Sequence, residues 1–427
     1  MSPATVPSEP LINSADPDAA KPTTGRILLF SYAFPPLRVQ MTAPVVKAMA
    51  GLANLGFQID VVCADTFSPY LGIDDSLVPY ANKHFSVIQK LRPKTSLLNR
   101  LRQTHPLIAS TPDLMSVLYL SAYETMMDMD LTRYDAIFTW SPFHSINLVM
   151  EAVKRHRPAT KWIAQFSDPW SMNPLEKNSF SRLWSRWNEP KALKQMDLII
   201  HSSTLSRDLM LKDQPASIRD RAFIVPHAFD SELYPARSPK HGDRLIIGHL
   251  GVLFSQRSPE PLFQALELLL HRRPDLEDRI LLQLVGGVPD EMLHSDAARR
   301  LPEGMIEYIP GVSYLDSLKY MRNADLLLLI EADVRLNLFV PSKLFDYMGA
   351  GRPIIGMAPP GGSQVILDRL NADHVIPSDI DGLKRILEKN LDRLSDRREG
   401  EWINNDYRLS HDNRHIGQRL SELMGRI

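Results

Sequence analysis

Val340-Pro-Ser-Lys-Leu-Phe-Asp-Tyr-Met-Gly-Ala-Gly-Arg-Pro-Ile-Ile-Gly356 decides how the rest of the chain is read. It follows the most apolar run in the sequence, residues 324–330, and leads into a second short apolar run at 353–357. A strand, a loop, a short helix and another strand make up half of a doubly wound sheet. Such sheets bind ligands where strand carboxyl ends meet helix starts. Ser342 is placed to cap the helix, which puts Lys343 in the first turn. Free N–H groups and the positive end of the helix dipole favour an anion there. A lysine in a first turn runs against the usual charge preference, and a bound phosphate is one reason to tolerate it. Asp346 lies three residues on, on the same face. A cation for phosphate beside a carboxylate for a sugar diol points to a nucleotide; a solvated helix pair is the plain alternative. Gly349 and Gly351 read as helix termination.

Around this stretch the second half of the chain forms one alternating series. Short apolar runs at 244–249, 280–285, 306–309, 324–330 and 353–357 are separated by helical patterns. Ser258-Pro-Glu260 is a helix start, and Ser313-Tyr-Leu-Asp316 resembles a capping box with Asp in place of Glu. The first half holds another series, with strands expected at 26–31, 57–64, 136–140, 161–166, 197–201 and 222–225. Gly56 closes the helix between the first two, a right-handed parallel unit. Two such series predict an α/β protein of two Rossmann-like domains. The expected boundaries are a disordered lead-in over 1–24, a first domain over 25–232, a linker within 231–243, a second domain over 243–405 and a terminal helix over 406–427.

Composition narrows the function classes. With 44% hydrophobic and 23% charged residues the 427-residue chain reads as soluble and globular, and a formal charge of −1 gives no sign of a nucleic-acid partner. The single cysteine, Cys63, lies in an apolar run and reads as a core thiol in a reducing compartment. The first residues lack the pattern of a signal peptide, and no apolar run reaches the ~20 residues of a membrane span. These features predict a cytoplasmic protein. The histidines are scattered without paired ligand spacing, so no metal is expected. There is no GxGxxG after either first strand and no P-loop, which weighs against dehydrogenases and NTPases. Lys90, Arg92, Lys94, Arg100, Arg102 and His105 alternate with leucines. They read as a solvated helix face, with contact to an anionic membrane surface as the alternative.

Candidate ligand contacts fall at strand ends. Gly251 allows close approach, and the Arg257 fork suits paired phosphate oxygens. Amides near Phe339, Val340 and Ser342 face the same place, and Pro310-Gly-Val-Ser313 is positioned for a base. In the first half, the loops Ser141-Pro-Phe-His-Ser145 and Ser167-Asp-Pro-Trp170 leave strand ends too. Asp168 is the acidic candidate there. Trp170 and His144 are candidates for a sugar, and Arg38 for a phosphate.

This constellation resembles the GT-B nucleotide-sugar glycosyltransferases of the group-1, or family-4, type. Lys343-Leu-Phe-Asp-Tyr-Met-Gly-Ala-Gly-Arg-Pro353 is similar to their Glu-x7-Glu segment, with Asp346 in place of the second glutamate. Leu338 stands where the first would be, and Glu331 is out of register. Gly251, Val252 and Arg257 partly match the Gly-Arg-x4-Lys diphosphate motif, with Val252 replacing the first basic residue. Trp162-Ile-Ala-Gln-Phe-Ser-Asp-Pro-Trp170 and His227-Ala-Phe-Asp230 look like motifs of a bacterial subgroup in surface-polysaccharide assembly. Gln165, Ser167 and His227-Ala228 depart from its pattern.

The resemblance implies transfer of a sugar from a nucleoside-diphosphate sugar to a hydroxyl of a glycan or lipid-linked glycan. It implies retention of configuration, no metal and no cofactor. It also implies two domains facing a cleft and a C-terminal helix crossing back; peripheral contact with the inner face of the cell membrane is the alternative carried by the basic stretch. Donor binding would fall to Gly251, Val252, Arg257, Gly311, Val312, Phe339, Val340, Ser342, Lys343, Leu344 and Asp346. Acceptor binding would fall to Pro36, Arg38, Ser141, His144, Asp168 and Trp170, and catalysis to Arg257, Lys343 and Asp168. Two alternatives stand beside it. One is an inactive nucleotide-sugar-binding or regulatory protein on the same fold, and the other is a sugar-nucleotide 2-epimerase.

Overall fold

The computed structural model describes residues 25–67, 71–95, 99, 111–174, 176, 178–239, 242–395 and 403–427. The expected lead-in over 1–24, the later part of the basic leucine-bearing stretch, and residues 396–402 lie outside the described residues.

The strands are β1 (Arg26–Ser31), β2 (Leu37–Arg38), β3 (Gln58–Ala64), β4 (Gly72–Ile73), β5 (Ser86–Leu91), β6 (Ala136–Trp140), β7 (Trp162–Phe166), β8 (Leu198–His201) and β9 (Ala222–Ile224). After them come β10 (Leu245–Leu250), β11 (Ile280–Val285), β12 (Ile306–Ile309), β13 (Leu326–Ile330), β14 (Ile354–Met357) and β15 (Asp373–Val375). Seven of these form a parallel sheet in the order β5-β3-β1-β6-β7-β8-β9, and six form another in the order β12-β11-β10-β13-β14-β15. Central strands such as Leu326-Leu-Leu-Leu-Ile330 are buried on both faces, which is why they read as unbroken apolar runs and not as alternation. In each sheet the strand order reverses beside the first strand of its half. That places a topological switch point between β1 and β6 in one sheet and between β10 and β13 in the other.

The chain divides into two compact units. One is Phe229–Asp412; the other joins the described residues up to Ala228 with Asn413–Ile427. The stretch expected as a linker folds with the C-terminal unit. The Tyr234 hydroxyl donates to the Asp346 carbonyl at 2.8 Å, and Arg237 pairs with Asp325 at 2.6 Å. The unit's two ends are fastened to each other, Phe229 N–H to the His411 carbonyl at 3.1 Å and Ser231 Oγ to Asp412 Oδ2 at 2.6 Å. Beyond that point the helix Asn413–Met424 lies against the helix Thr42–Asn54. Glycines make this approach possible: a Cβ on Gly51 would sit 2.0 Å from the Asn413 carbonyl oxygen, and one on Gly417 would sit 2.3 Å from the Gly51 backbone.

Several local expectations change. The stretch from 68 to 112, read as irregular, contains the edge strand β5. Its residues are exposed except Leu91, so no buried alternation marks it. Of the described part of the basic stretch, Lys90 and Leu91 end this strand and residues 92–95 are loop; Arg92 pairs with Asp65, and Lys94 with Glu124. Pro341, not Ser342, takes the cap position of the helix Ser342–Ala350, and no side chain caps it. Gly351, at φ 61°, does end that helix. Gly349 instead lies within it, where any Cβ would sit 2.3 Å from the Tyr234 hydroxyl. Ser313 caps its helix as expected, accepting from Asp316 N–H at 3.1 Å.

Candidate nucleotide site

The switch point of the C-terminal unit brings three strand ends together. Gly251 follows β10 at φ 129° and donates its N–H to Val285 at 2.8 Å. Gly286 follows β11 at φ 127°, and a Cβ there would lie 2.3 Å from the Gly251 carbonyl oxygen. Only residues without a side chain let these two turns close on each other. A Cβ on Gly251 would lie 3.1 Å from Lys343 Nζ, so this glycine leaves the space the lysine head occupies. The helix Ser342–Ala350 is fixed from beneath by Tyr347. Its buried hydroxyl accepts from Leu250 N–H at 2.9 Å and lies 3.3 Å from the Leu328 carbonyl. The loops after β10 and β13 also meet, Asp333 N–H donating to the Gln256 carbonyl at 3.2 Å.

Two cations and one carboxylate converge there. Lys343 Nζ lies 3.4 Å from Nε2 of His249. The other ring nitrogen of His249 lies 2.9 Å from the Leu328 carbonyl, so it carries the hydrogen and leaves Nε2 as a neutral acceptor. Burial, then Lys343, holds His249 uncharged, its pKa well below the usual range. Burial and the neighbouring Arg257 bring Lys343 down to about 7, with Glu331 pulling the other way. Arg257 sits in a tight turn, its N–H donating to the Phe254 carbonyl at 2.7 Å and its guanidinium carbon 5.3 Å above the Phe254 ring. Its Nε is buried with no hydrogen-bond partner. Burial lowers its pKa, opposed by Glu331 and Tyr347, yet an arginine stays charged. The result is a pair of partly desolvated cations with unspent donor capacity.

Glu331 belongs to this cluster although the sequence set it aside. It directly follows β13, is 1% exposed, and accepts from Ser363 Oγ at 2.8 Å and Asn337 Nδ2 at 3.0 Å. Burial raises its pKa, while Ser363, Asn337, Arg257 and Lys343 favour its ionised form. Asn337 in turn fixes Phe339, whose N–H donates to Asn337 Oδ1 at 3.1 Å. Periodicity could not find Glu331, because the register of the Glu-x7-Glu pattern pointed to Leu338. The remaining signal was its place directly after the most apolar strand.

The other expected donor residues are placed unevenly. Asp346 is buried on the same helix, and its Oδ1 accepts from the Tyr314 hydroxyl at 2.8 Å. Gly311 and Val312 follow the end of β12, with Gly311 exposed. Val252 is 61% exposed and brings no charge to the cluster. Val340 is buried, and Ser342 is the first helical residue. Leu344 is fully buried in the core, and its N–H already bonds the Pro341 carbonyl, so it anchors the helix.

In the N-terminal unit the expected acceptor residues also sit at strand ends. Ser141, after β6, is fully buried and receives Asn147 Nδ2 at 3.4 Å. The His144 ring stacks on Trp170 at 5.0 Å and on Phe166 at 5.9 Å, and Phe166 stacks on His201 at 5.4 Å. Trp170 Nε1, His144 Nδ1 and both His201 nitrogens are buried without partners. Burial alone takes His144 down to about 3, so it is a neutral ring. Burial likewise raises Asp168, just after β7, to about 6. Its loop is held by buried Glu189, which receives Ser171 N–H at 2.7 Å and Ser171 Oγ at 3.1 Å. Pro36 accepts from Asp74 N–H at 2.8 Å, and Arg38 lies exposed on the short β2–β4 pair. The sequence singled out His144 and Trp170 separately; their stacking, and the part of Phe166 and His201, came only with the fold. Among the described residues no group of three or more His, Cys, Asp or Glu is arranged to hold a metal, and no helix is long and apolar enough to cross a membrane.

No protein-family model and no curated protein matches this sequence. Solved structures do match in fold. Anabaena HepE in complex with UDP and glucose is similar at TM-score 0.65 and 15% identity, over 94% of this chain and 100% of that one. The sucrose-phosphate synthase of Thermosynechococcus elongatus is similar at 0.62 and 15%, over 94% and 98%. A glycosyltransferase from Rickettsia africae is similar at 0.61 and 12%, over 94% and 98%. At such identities the likeness concerns architecture, and with the two parallel sheets it identifies the fold as GT-B, built from two Rossmann-like domains.

Proposed function

We propose that this protein transfers a sugar from a nucleoside-diphosphate sugar to a hydroxyl acceptor. The observation that carries the reading is the cation pair at the C-terminal switch point. Arg257 and Lys343 are partly desolvated, and the Arg257 Nε has no protein partner. A diphosphate would supply the missing counter-charge, with free amides of the uncapped helix Ser342–Ala350 adding donors. In this reading the C1–O bond to the distal phosphate breaks and a bond from C1 to the acceptor oxygen forms. The acceptor proton goes to the leaving phosphate, on the face the leaving group vacates, so the configuration is retained. Arg257 and Lys343 stabilise the departing charge without calling on a metal, the largest contribution these residues can make. Glu331 lies beside them as the carboxylate nearest the donor sugar, and Asp346 is placed for the ribose. Asp168 and the Trp170–His144 stack are the acceptor side, taking a glycan or lipid-linked glycan hydroxyl. Sugar transfer in bacterial surface-polysaccharide assembly on the inner face of the cell membrane is the setting this reading fits.

A thermal-shift panel of UDP, GDP, ADP, CDP and dTDP, with and without EDTA, tests the site. UDP is the first choice, since the similar HepE structure holds UDP and glucose. A ligand at 100 times its Kd adds about 2.7 kcal/mol of stability. The reading expects one nucleotide to shift the melt, with or without EDTA, and the shift to vanish in Lys343→Ala and Arg257→Ala. No shift with any of them at millimolar concentration would overturn it. Binding without turnover of the matching sugar nucleotide, across a panel of hydroxyl acceptors, would instead favour a non-catalytic nucleotide-sugar-binding protein.

A further inference from the structure

The helix Ser179–Gln195 is amphipathic in the wrong sense for a helix that only packs on its own core. Its inward positions are Ser181, Ser185, Glu189, Ala192 and Leu193, which are mostly small or polar. Its outward face holds the large apolar side chains: Phe180 is 50% exposed, Leu183 69% and Trp187 71%. These recur at i, i+3 and i+7, so they form one stripe along a helix about 25 Å long. On the inward side, Ser181 Oγ donates to the Pro112 carbonyl at 3.4 Å, and Leu114, two residues on from Pro112, is 64% exposed.

Among the described residues, the exposed charges of this helix have one sign. Arg186, Lys191 and Lys194 are exposed on this face, and Lys191 Nζ lies 4.5 Å over the Trp187 ring. Glu189 is turned inward onto Ser171. The nearby Glu176 accepts from Asn178 N–H and Ser181 Oγ, and Asp113 accepts from Ser145 at the start of another helix, so both carboxylates are taken up by the protein's own donors.

The geometry points to this face as a docking surface for an anionic phospholipid bilayer, with Phe180, Leu183 and Trp187 entering the headgroup boundary and Arg186, Lys191 and Lys194 meeting lipid phosphates. Aromatic and leucine side chains with flanking Lys and Arg are what an interfacial helix needs. A second copy of the chain fits poorly, because a two-fold contact would set the basic residues of one copy against those of the other. Its residues are separate in sequence from the basic stretch at 90–107. It does not depend on the sugar-transfer reading, since its test uses neither nucleotide nor sugar.

The full chain is sedimented with sucrose-loaded vesicles of phosphatidylcholine alone, and of phosphatidylcholine with about 40 mol% phosphatidylglycerol. The expected result is binding to the anionic vesicles that weakens as salt rises. Leu183→Ser with Trp187→Ser should lower the partition coefficient at least about tenfold without lowering the melting temperature, because both residues are exposed. Each of Arg186→Gln, Lys191→Gln and Lys194→Gln should lower it about fivefold. Leu268→Ser, an exposed leucine of the other unit, should leave it unchanged. The blue shift of tryptophan emission on binding should fall in Trp187→Phe. The proposal is overturned if the native chain stays in the supernatant, if the serine pair binds as the native chain does, or if Leu268→Ser loses as much. Loss of a dimer in the serine pair, with no vesicle binding by either protein, would assign the face to self-association instead.

Discussion

Lys343→Met removes an ammonium and keeps most of the aliphatic stem, so it isolates what charge costs at the candidate site. In the native fold Lys343 titrates at about 7, against about 10.4 for an unfolded lysine. Linking the two states sets an upper bound of about 4 kcal/mol on the cost of folding around this lysine at pH 7. The side chain is half-buried, and solvent screening reduces the expected effect to about 1–2 kcal/mol. Above pH ~10.5 the lysine is neutral in both states and costs nothing. As pH falls towards 7 the unfolded chain takes the proton first, so native stability drops; below 7 both states are charged and the loss is constant. Lys343→Met should therefore be more stable than the native protein at pH 7, by a few degrees in melting temperature, and equal to it near pH 10.5. A diphosphate ligand reverses the balance by drawing the proton back. At pH 8 about nine-tenths of Lys343 is neutral, so nucleotide binding should take up about 0.9 proton. Melting curves across pH, and calorimetry in buffers of different ionisation enthalpy, read the two effects. A variant less stable than the native protein at pH 7, a stability difference that does not change with pH, or binding without proton uptake would each refute the reasoning.

Three further outcomes follow from the same structure. Arg257→Lys keeps a charge but loses the fork whose Nε lacks a protein partner, and should weaken nucleotide binding about 10- to 100-fold, measured by calorimetry. Gly286→Ala puts a methyl where 2.3 Å separates it from the Gly251 carbonyl oxygen, at a φ of 127°, and should cost about 2–4 kcal/mol in denaturant unfolding. Glu189 titrates at about 7 in the fold because burial outweighs its bonds to Ser171. The unfolded chain releases that proton first, so native stability should fall as pH rises from about 4.5 to 7, and Glu189→Gln should remove this slope.

The architecture was legible because each central strand is buried on both faces. Runs such as Leu326–Ile330 and Trp162–Phe166 need no partner to announce themselves. The edge strand Ser86–Leu91 escaped for the opposite reason, since it faces solvent along most of its length. Residues 231–243 read as a linker because they are polar and proline-bearing, whereas the segment folds with the Phe229–Asp412 unit. Whether Tyr234 and Arg237 reach Asp346 and Asp325 depends on residues about a hundred positions away.

The sequence by itself determined two alternating strand–helix series and the strand-end positions of Gly251, Arg257, Lys343 and Asp168. Periodicity and turn chemistry are local, and these features are local. Only the tertiary structure decided which strand ends meet. It put Glu331 and His249 beside Lys343, turned the Asp346 carboxylate to Tyr314, stacked His144 on Trp170, and left Val252 apart in solvent. Those outcomes depend on strand order and on where β10 and β13 diverge, and strand order is set by non-local pairing that no window of sequence contains.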